Sequence, residues 1–134
     1  MSGIIGGAGS KSGVIGETEL DYEKGVWTPT FDNVHSRHAR YIKIGDWVHC
    51  WGWIKATGSC GQKGGLPFTS MVNTDSNGNA IGCGTVSYQS EASNETWGIL
   101  VDGTAKLFNF RHGNNVKNLG NGAQAHFFLS YRTA

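Results

Sequence analysis

Residues 47–55 read Trp-Val-His-Cys-Trp-Gly-Trp-Ile-Lys. Successive side chains of a strand point to opposite faces, so Trp47, His49, Trp51 and Trp53 share one face and Val48, Cys50, Gly52 and Ile54 the other. Both faces are apolar. An antiparallel strand in a lone domain ordinarily keeps one wet face, so a strand apolar on both sides is one covered twice. Each of the three tryptophans can bury on the order of 150–250 Å², more than a soluble monomer normally leaves in water. For a single domain the simplest second cover is another copy of the chain, which makes Trp47, His49, Trp51 and Trp53 candidate subunit-contact residues. The opposite arrangement, with the tryptophans in the core and the small side chains outside, is equally compatible with the alternation.

The end of the chain repeats the pattern. Ala123, Ala125, Phe127, Leu129 and Tyr131 form one face of a strand, and Gln124, His126, Phe128, Ser130 and Arg132 the other. His126 and Phe128 interrupt a polar stripe, and they join the candidate contact residues. Between these two strands lie shorter runs at residues 80–88, 97–101 and 104–110, separated by turn chemistry. Asp102-Gly103 reads as a two-residue hairpin turn, because both positions tolerate positive φ, and Asn77-Gly78 as a turn in a longer loop. Upstream, Val26–Phe31 reads as an edge strand, since Pro29 has no N–H to give to a ladder. His35-Ser36-Arg37-His38-Ala39-Arg40 reads as a solvated basic loop, or as a contact for an acidic neighbour. No ten-residue segment carries a helical stripe. The class is all-β: a single antiparallel β-sandwich or jelly roll.

Residues 1–25 differ from the rest. Ser2–Gly16 is glycine and serine with two aliphatic pairs, Ile4-Ile5 and Val14-Ile15. Glycine loses the most backbone entropy on ordering, so this stretch cannot fold by itself. A merely solvated tail has no use for the aliphatic pairs, so Ile4, Ile5, Val14 and Ile15 are expected to anchor an extended attachment arm on a partner. Glu17, Glu19, Asp21 and Glu23 read as a solvated charged edge rather than a cation loop, which needs glycine turns and carbonyl ligands at tighter spacing. The division is an arm over 1–25 and a sandwich domain over 26–134.

Composition excludes whole classes of function. The chain has 134 residues, enough for one core, and its 11 basic and 10 acidic side chains leave a net charge of +1. That balance gives no footprint for nucleic acid or for an anionic membrane. No run is long and apolar enough to span a bilayer, and the N-terminus lacks a signal peptide, so cytoplasmic synthesis is expected. Cys50, Cys60 and Cys83 are odd in number without a close pair, which argues for unpaired thiols rather than a disulfide framework or a zinc site. His35, His38, His112 and His126 have no metal-ligand spacing. His49 and Cys50 point to opposite faces and cannot act as a base and nucleophile pair. No Ser-His-Asp order, phosphate loop or glycosidase carboxylate pair is present, so no enzyme activity, cofactor or metal is expected.

Four segments carry a family likeness. They are Asp21-Tyr22-Glu23 with Gly25, Trp27, Thr28 and Pro29; then Tyr41-Ile42-Lys43-Ile44-Gly45; then Gly65-Leu66-Pro67-Phe68; and finally Tyr131-Arg132-Thr133. Together, in this order, they resemble the small β-sandwich module at the distal ends of tailed-phage fibres and in free-standing phage surface proteins. Lys24 and Val26 stand where the family more usually has acidic or small residues. The resemblance implies a non-enzymatic homotrimer on the virion surface, assembled in the host cytoplasm, joined to other virion proteins through the arm and facing a host receptor. Two alternatives use the same sandwich: a capsid decoration (cement) or head-fibre protein, and a glycan-binding module whose exposed aromatics stack on sugar rings. Trp97 exposed, or a Trp51 and Trp53 face open to solvent, would favour the glycan module.

Overall fold

The computed structural model describes residues 21–60, 63–71, 79–92, 94–102 and 106–133. Among them every regular element is a strand: β1 (Tyr22–Trp27), β2 (Thr30–Phe31), β3 (Val34–Ile44), β4 (Trp47–Ala56), β5 (Lys63–Gly64), β6 (Asn79–Gln89), β7 (Trp97–Asp102), β8 (Leu107–His112), β9 (Asn115–Lys117) and β10 (Gln124–Arg132). They form one antiparallel sheet in the order β1-β3-β4-β10-β6-β7-β8-β5-β2, with β9 paired to β8. The arm anchors Ile4, Ile5, Val14 and Ile15 lie outside the described residues, as do Glu17, Glu19 and the Asn77-Gly78 turn.

Pro29 explains how this sheet closes. The single edge strand expected over Val26–Phe31 is in fact two strands, which take the two opposite ends of the strand order. Only Thr28 and Pro29 separate them, a span of about 10 Å at full extension. The sheet therefore curls until its ends nearly meet. Phe127 of β10 faces Phe108 and Phe110 of β8 across the interior, with ring centroids 5.7 and 5.9 Å apart. Trp27 and Phe31, from the two ends, each pack edge-on against Phe108, at 6.1 and 5.7 Å. These tilted and T-shaped contacts are the favoured aromatic geometries. The halves of the curled sheet thus form a sandwich around an aromatic core.

That core settles which face of β4 is inside. Val48, Cys50 and Ile54 are fully buried, and the tryptophan face is the outer one. Gly52 makes the reason visible: a Cβ there would lie 2.9 Å from both Phe127 Cζ and the His38 carbonyl oxygen. The rings of β1, β2, β8 and β10 fill the interior, and β4 accommodates them with small side chains.

Three expectations change. Residues 22–25, read as the end of the arm, are rungs of β1 paired with Tyr41–Ile44 of β3. Residues 35–40 are not a loop but part of β3, an eleven-residue strand. Ala39 is buried while His38 and Arg40 are exposed, so these two side chains occupy the outer face of the strand. Val101 pairs with Phe108 and β8 begins at Leu107, later than the run expected from Thr104, while Gly103 of the expected hairpin turn lies outside the described residues.

Candidate functional site

Antiparallel register lines up side chains in rows across the outer face. One row runs His38, Trp53, His126, Tyr88, and the next Val26, Arg40, Trp51, Phe128, Thr85. A third runs Lys24, Ile42, His49, Ser130, Cys83, and a fourth Tyr22, Ile44, Trp47, Arg132. The register brings together all six residues expected at a subunit contact. Trp47, Trp51, His126 and Phe128 are exposed, and His49 and Trp53 half-buried.

Seven of the eight exposed large hydrophobic residues among those described belong to these rows: Tyr22, Val26, Ile44, Trp47, Trp51, Tyr88 and Phe128. Trp47, Trp51 and Phe128 keep 43%, 38% and 44% of their surface open. Five strands about 4.8 Å apart and four rows about 6.8 Å apart make a face of roughly 20 by 20 Å between its outermost positions. Side chains at the margin extend it further. Exposed large hydrophobic side chains gathered on one face in this way mark an interaction surface more often than an ordinary monomer surface.

Ring contacts hold the first row in place. His38 stacks on Trp53 at 5.8 Å with the planes 21° apart. His126 meets Trp53 and Tyr88 edge to face at 6.4 and 5.5 Å. The Trp53 indole N–H donates to Gln124 Oε1 at 3.3 Å. An open groove of about 530 Å³ lies over His38, Trp53 and His126, with Arg37, Arg40, Trp51 and Phe128 also on its walls. Among the described residues the outer rows carry no carboxylate. Lys24 and Arg40 are exposed cations, whereas Arg132 is paired with Asp46 at 3.1 Å.

His49 Nδ1 and Ser130 Oγ are hydrogen-bonded at 2.6 Å, the spacing of a base and a hydroxyl nucleophile. Among the described residues no carboxylate shares the outer rows with this pair. β4 and β10 are each paired on both sides, so their amides are engaged in ladders instead of converging on an oxyanion. Burial pushes the Cys50 thiol up to about 12, which leaves it protonated and unreactive at neutral pH. No disulfide joins Cys50, Cys60 or Cys83. Among the described residues no group of three or more His, Cys, Asp or Glu is placed to hold a metal.

The four family-like segments meet elsewhere, on the inner side of β1 and β3 and at the ends of β4 and β10. Asp21 forms an ion pair with Lys43, and Glu23 accepts a hydrogen bond from the Tyr41 hydroxyl. The Gly45 amide donates to the Asp21 carbonyl at 2.7 Å. Tyr41 packs edge-on against Phe68 at 5.4 Å, and Lys43 lies over the same ring. Tyr131 closes the circuit: its hydroxyl donates to the Phe68 carbonyl at 3.0 Å and accepts from the Phe68 amide at 3.1 Å. The acidic stretch, where described, is therefore paired within the chain. Sequence reasoning missed this convergence, because residues 21–25, 41–45, 65–68 and 131–133 become neighbours only through the curled sheet.

The chain matches no protein-family model, no curated protein and no solved structure.

Proposed function

We propose that this chain is a non-enzymatic structural protein of a tailed-phage virion, a homotrimeric surface module of the fibre-tip type. The single observation that carries the reading is the outer face. Large hydrophobic side chains that a soluble monomer would bury are gathered on one side of one sheet. A second copy of the chain is the partner that every such chain has to hand. Three copies around a shared axis would each turn this face inward. A two-fold pairing of the same face would also cover it, and the family likeness selects three. The convergence of the four family-like segments in one packing network is consistent with their being a fold signature.

In this reading the arm, with Ile4, Ile5, Val14 and Ile15, attaches the trimer to another virion protein, and loops away from the axis face the host receptor. The same trimer seated on a capsid would be a decoration or head-fibre protein. Deleting Ser2–Gly16 should leave the isolated domain folded and remove it from particles. Electron microscopy of intact particles carrying labelled protein should place it on the tail or the shell. Particles that form without any of the protein incorporated would overturn the reading.

A glycan-binding module is the second reading. The open groove beside Trp51, with Arg37 and Arg40 on its walls, favours it. Against it, Trp97 is buried in the core. A monomer in solution that binds a glycan array would favour this reading over the trimer.

A further inference from the structure

The first outer row places two imidazoles against one indole, and both imidazoles are open to water in the single chain. We propose that His38 and His126 make the assembly acid-labile, so that a contact stable near neutral pH is released when the two rings take up protons. The proposal rests on the outer face being the contact between copies.

Charge and desolvation supply the mechanism. Imidazole is the ordinary side chain that changes charge between about pH 5 and 8. Neutral, the two rings are flat and weakly polar and pack against Trp53 and Tyr88 as aromatics. Protonated, each carries a charge that a covered face would strip of water. The indole face under His38 offsets part of that cost, but the charged neighbours add to it. On β3 the groups nearest His38 are His35, Arg37 and Arg40, with Lys43 farther along, and on β4 the nearest is Lys55, beside Trp53 on the outer face. On β6 the facing titratable group is Tyr88, on β10 the neighbours are Gln124 and Phe128, and on β1 the nearest is Val26. The described groups around the two imidazoles thus include cations and no carboxylate. In the separated chain the same imidazolium ions would be solvated, so proton uptake favours separation. His49 differs: it is half-buried and bonded to Ser130 within the chain, so its surroundings change less on assembly.

The test is the mass of the purified protein in solution at about pH 8 and about pH 5, with near-ultraviolet circular dichroism to follow the fold. The expected result is a trimer at the higher pH and folded single chains at the lower, with the apparent dissociation constant raised by at least about tenfold. A His38→Gln, His126→Gln double variant should stay associated at both. A wild-type trimer unchanged at the lower pH would overturn the acid switch and leave the trimer standing. Single chains at the higher pH would instead remove the trimer and the switch with it. If the variant separates in acid as wild type does, these two histidines are not responsible. Should the variant fail to assemble at all, proton uptake on dissociation of the wild type decides: uptake supports the switch, and its absence overturns it.

Discussion

Trp51 and Phe128 stand directly opposite one another on β4 and β10, and each keeps more than a third of its surface open to solvent. Arg40 and Thr85 extend the same row on either side. The pair therefore occupies the middle of a face that contributes little to the core beneath it.

Trp51→Ala should separate association from folding. The side chain lies outside the aromatic core, so the thermal midpoint of the separated chain should move by no more than a few degrees. Its truncation at the centre of a contact should weaken association by ~2 kcal/mol or more, as for an interface hot spot. Light scattering and circular dichroism on the same samples check both halves.

Gly84→Ala should do the reverse. A Cβ at this position would lie 2.2 Å from the Phe128 carbonyl oxygen and 2.6 Å from Leu129 Cα. Both are backbone atoms of β10, which is paired on two sides and cannot yield cheaply. Overpacking of this kind costs about 1–3 kcal/mol and sometimes more, and denaturant titration should place the loss at the upper end.

Tyr131→Phe removes a hydroxyl that both donates to and accepts from the Phe68 backbone. Leaving those two groups without a partner should cost about 1–3 kcal/mol. Burial, the largest cause, raises the Tyr131 phenol above its ordinary value. A raised value means the stabilisation is fully present below the unfolded pKa of about 10 and is lost as pH rises above it. Wild-type stability should fall between about pH 9 and 11, and the variant should lose less over that interval.

Glu95→Gln should flatten the acid limb. The carboxylate accepts from Lys117 Nζ at 3.0 Å and from the Trp97 indole N–H at 2.8 Å. The Lys117 bond first, and the Trp97 bond second, hold the carboxyl below its ordinary range. A lowered value means its stabilisation is present above the unfolded pKa of about 4.3 and is lost as pH falls through the folded one. Thermal midpoints of wild type should drop more steeply between about pH 5 and 3 than those of the variant.

Alternation made β4 and β10 readable from the residues, because a period of two survives without knowledge of what packs on either side. The inner face of β4 was not readable. Alternation left either face as the core, and the choice is made by Trp27, Phe31, Phe108, Phe110 and Phe127 of other strands, which fill the interior and to one of which, Phe127, Gly52 is the complement. The strand β3 was hidden by its charges, although Ala39 and Tyr41 alternate with His38 and Arg40 in the pattern that reveals a half-wet strand. Pro29 signalled an edge but not that two edges lie on either side of it. The candidate contact residues could be named because alternation alone places them on one face of β4 and of β10. Their crowding into rows needed the β3–β4–β10 pairing, which no local pattern encodes.

The outer face is proposed to be covered by other copies of the same chain. Light scattering coupled to size exclusion near pH 8, at micromolar concentration, measures this most directly. A species of three times the chain mass is expected, and single chains from a Trp51→Ala, Phe128→Ala variant that keeps its fold. A wild-type protein that runs as a folded single chain would contradict it.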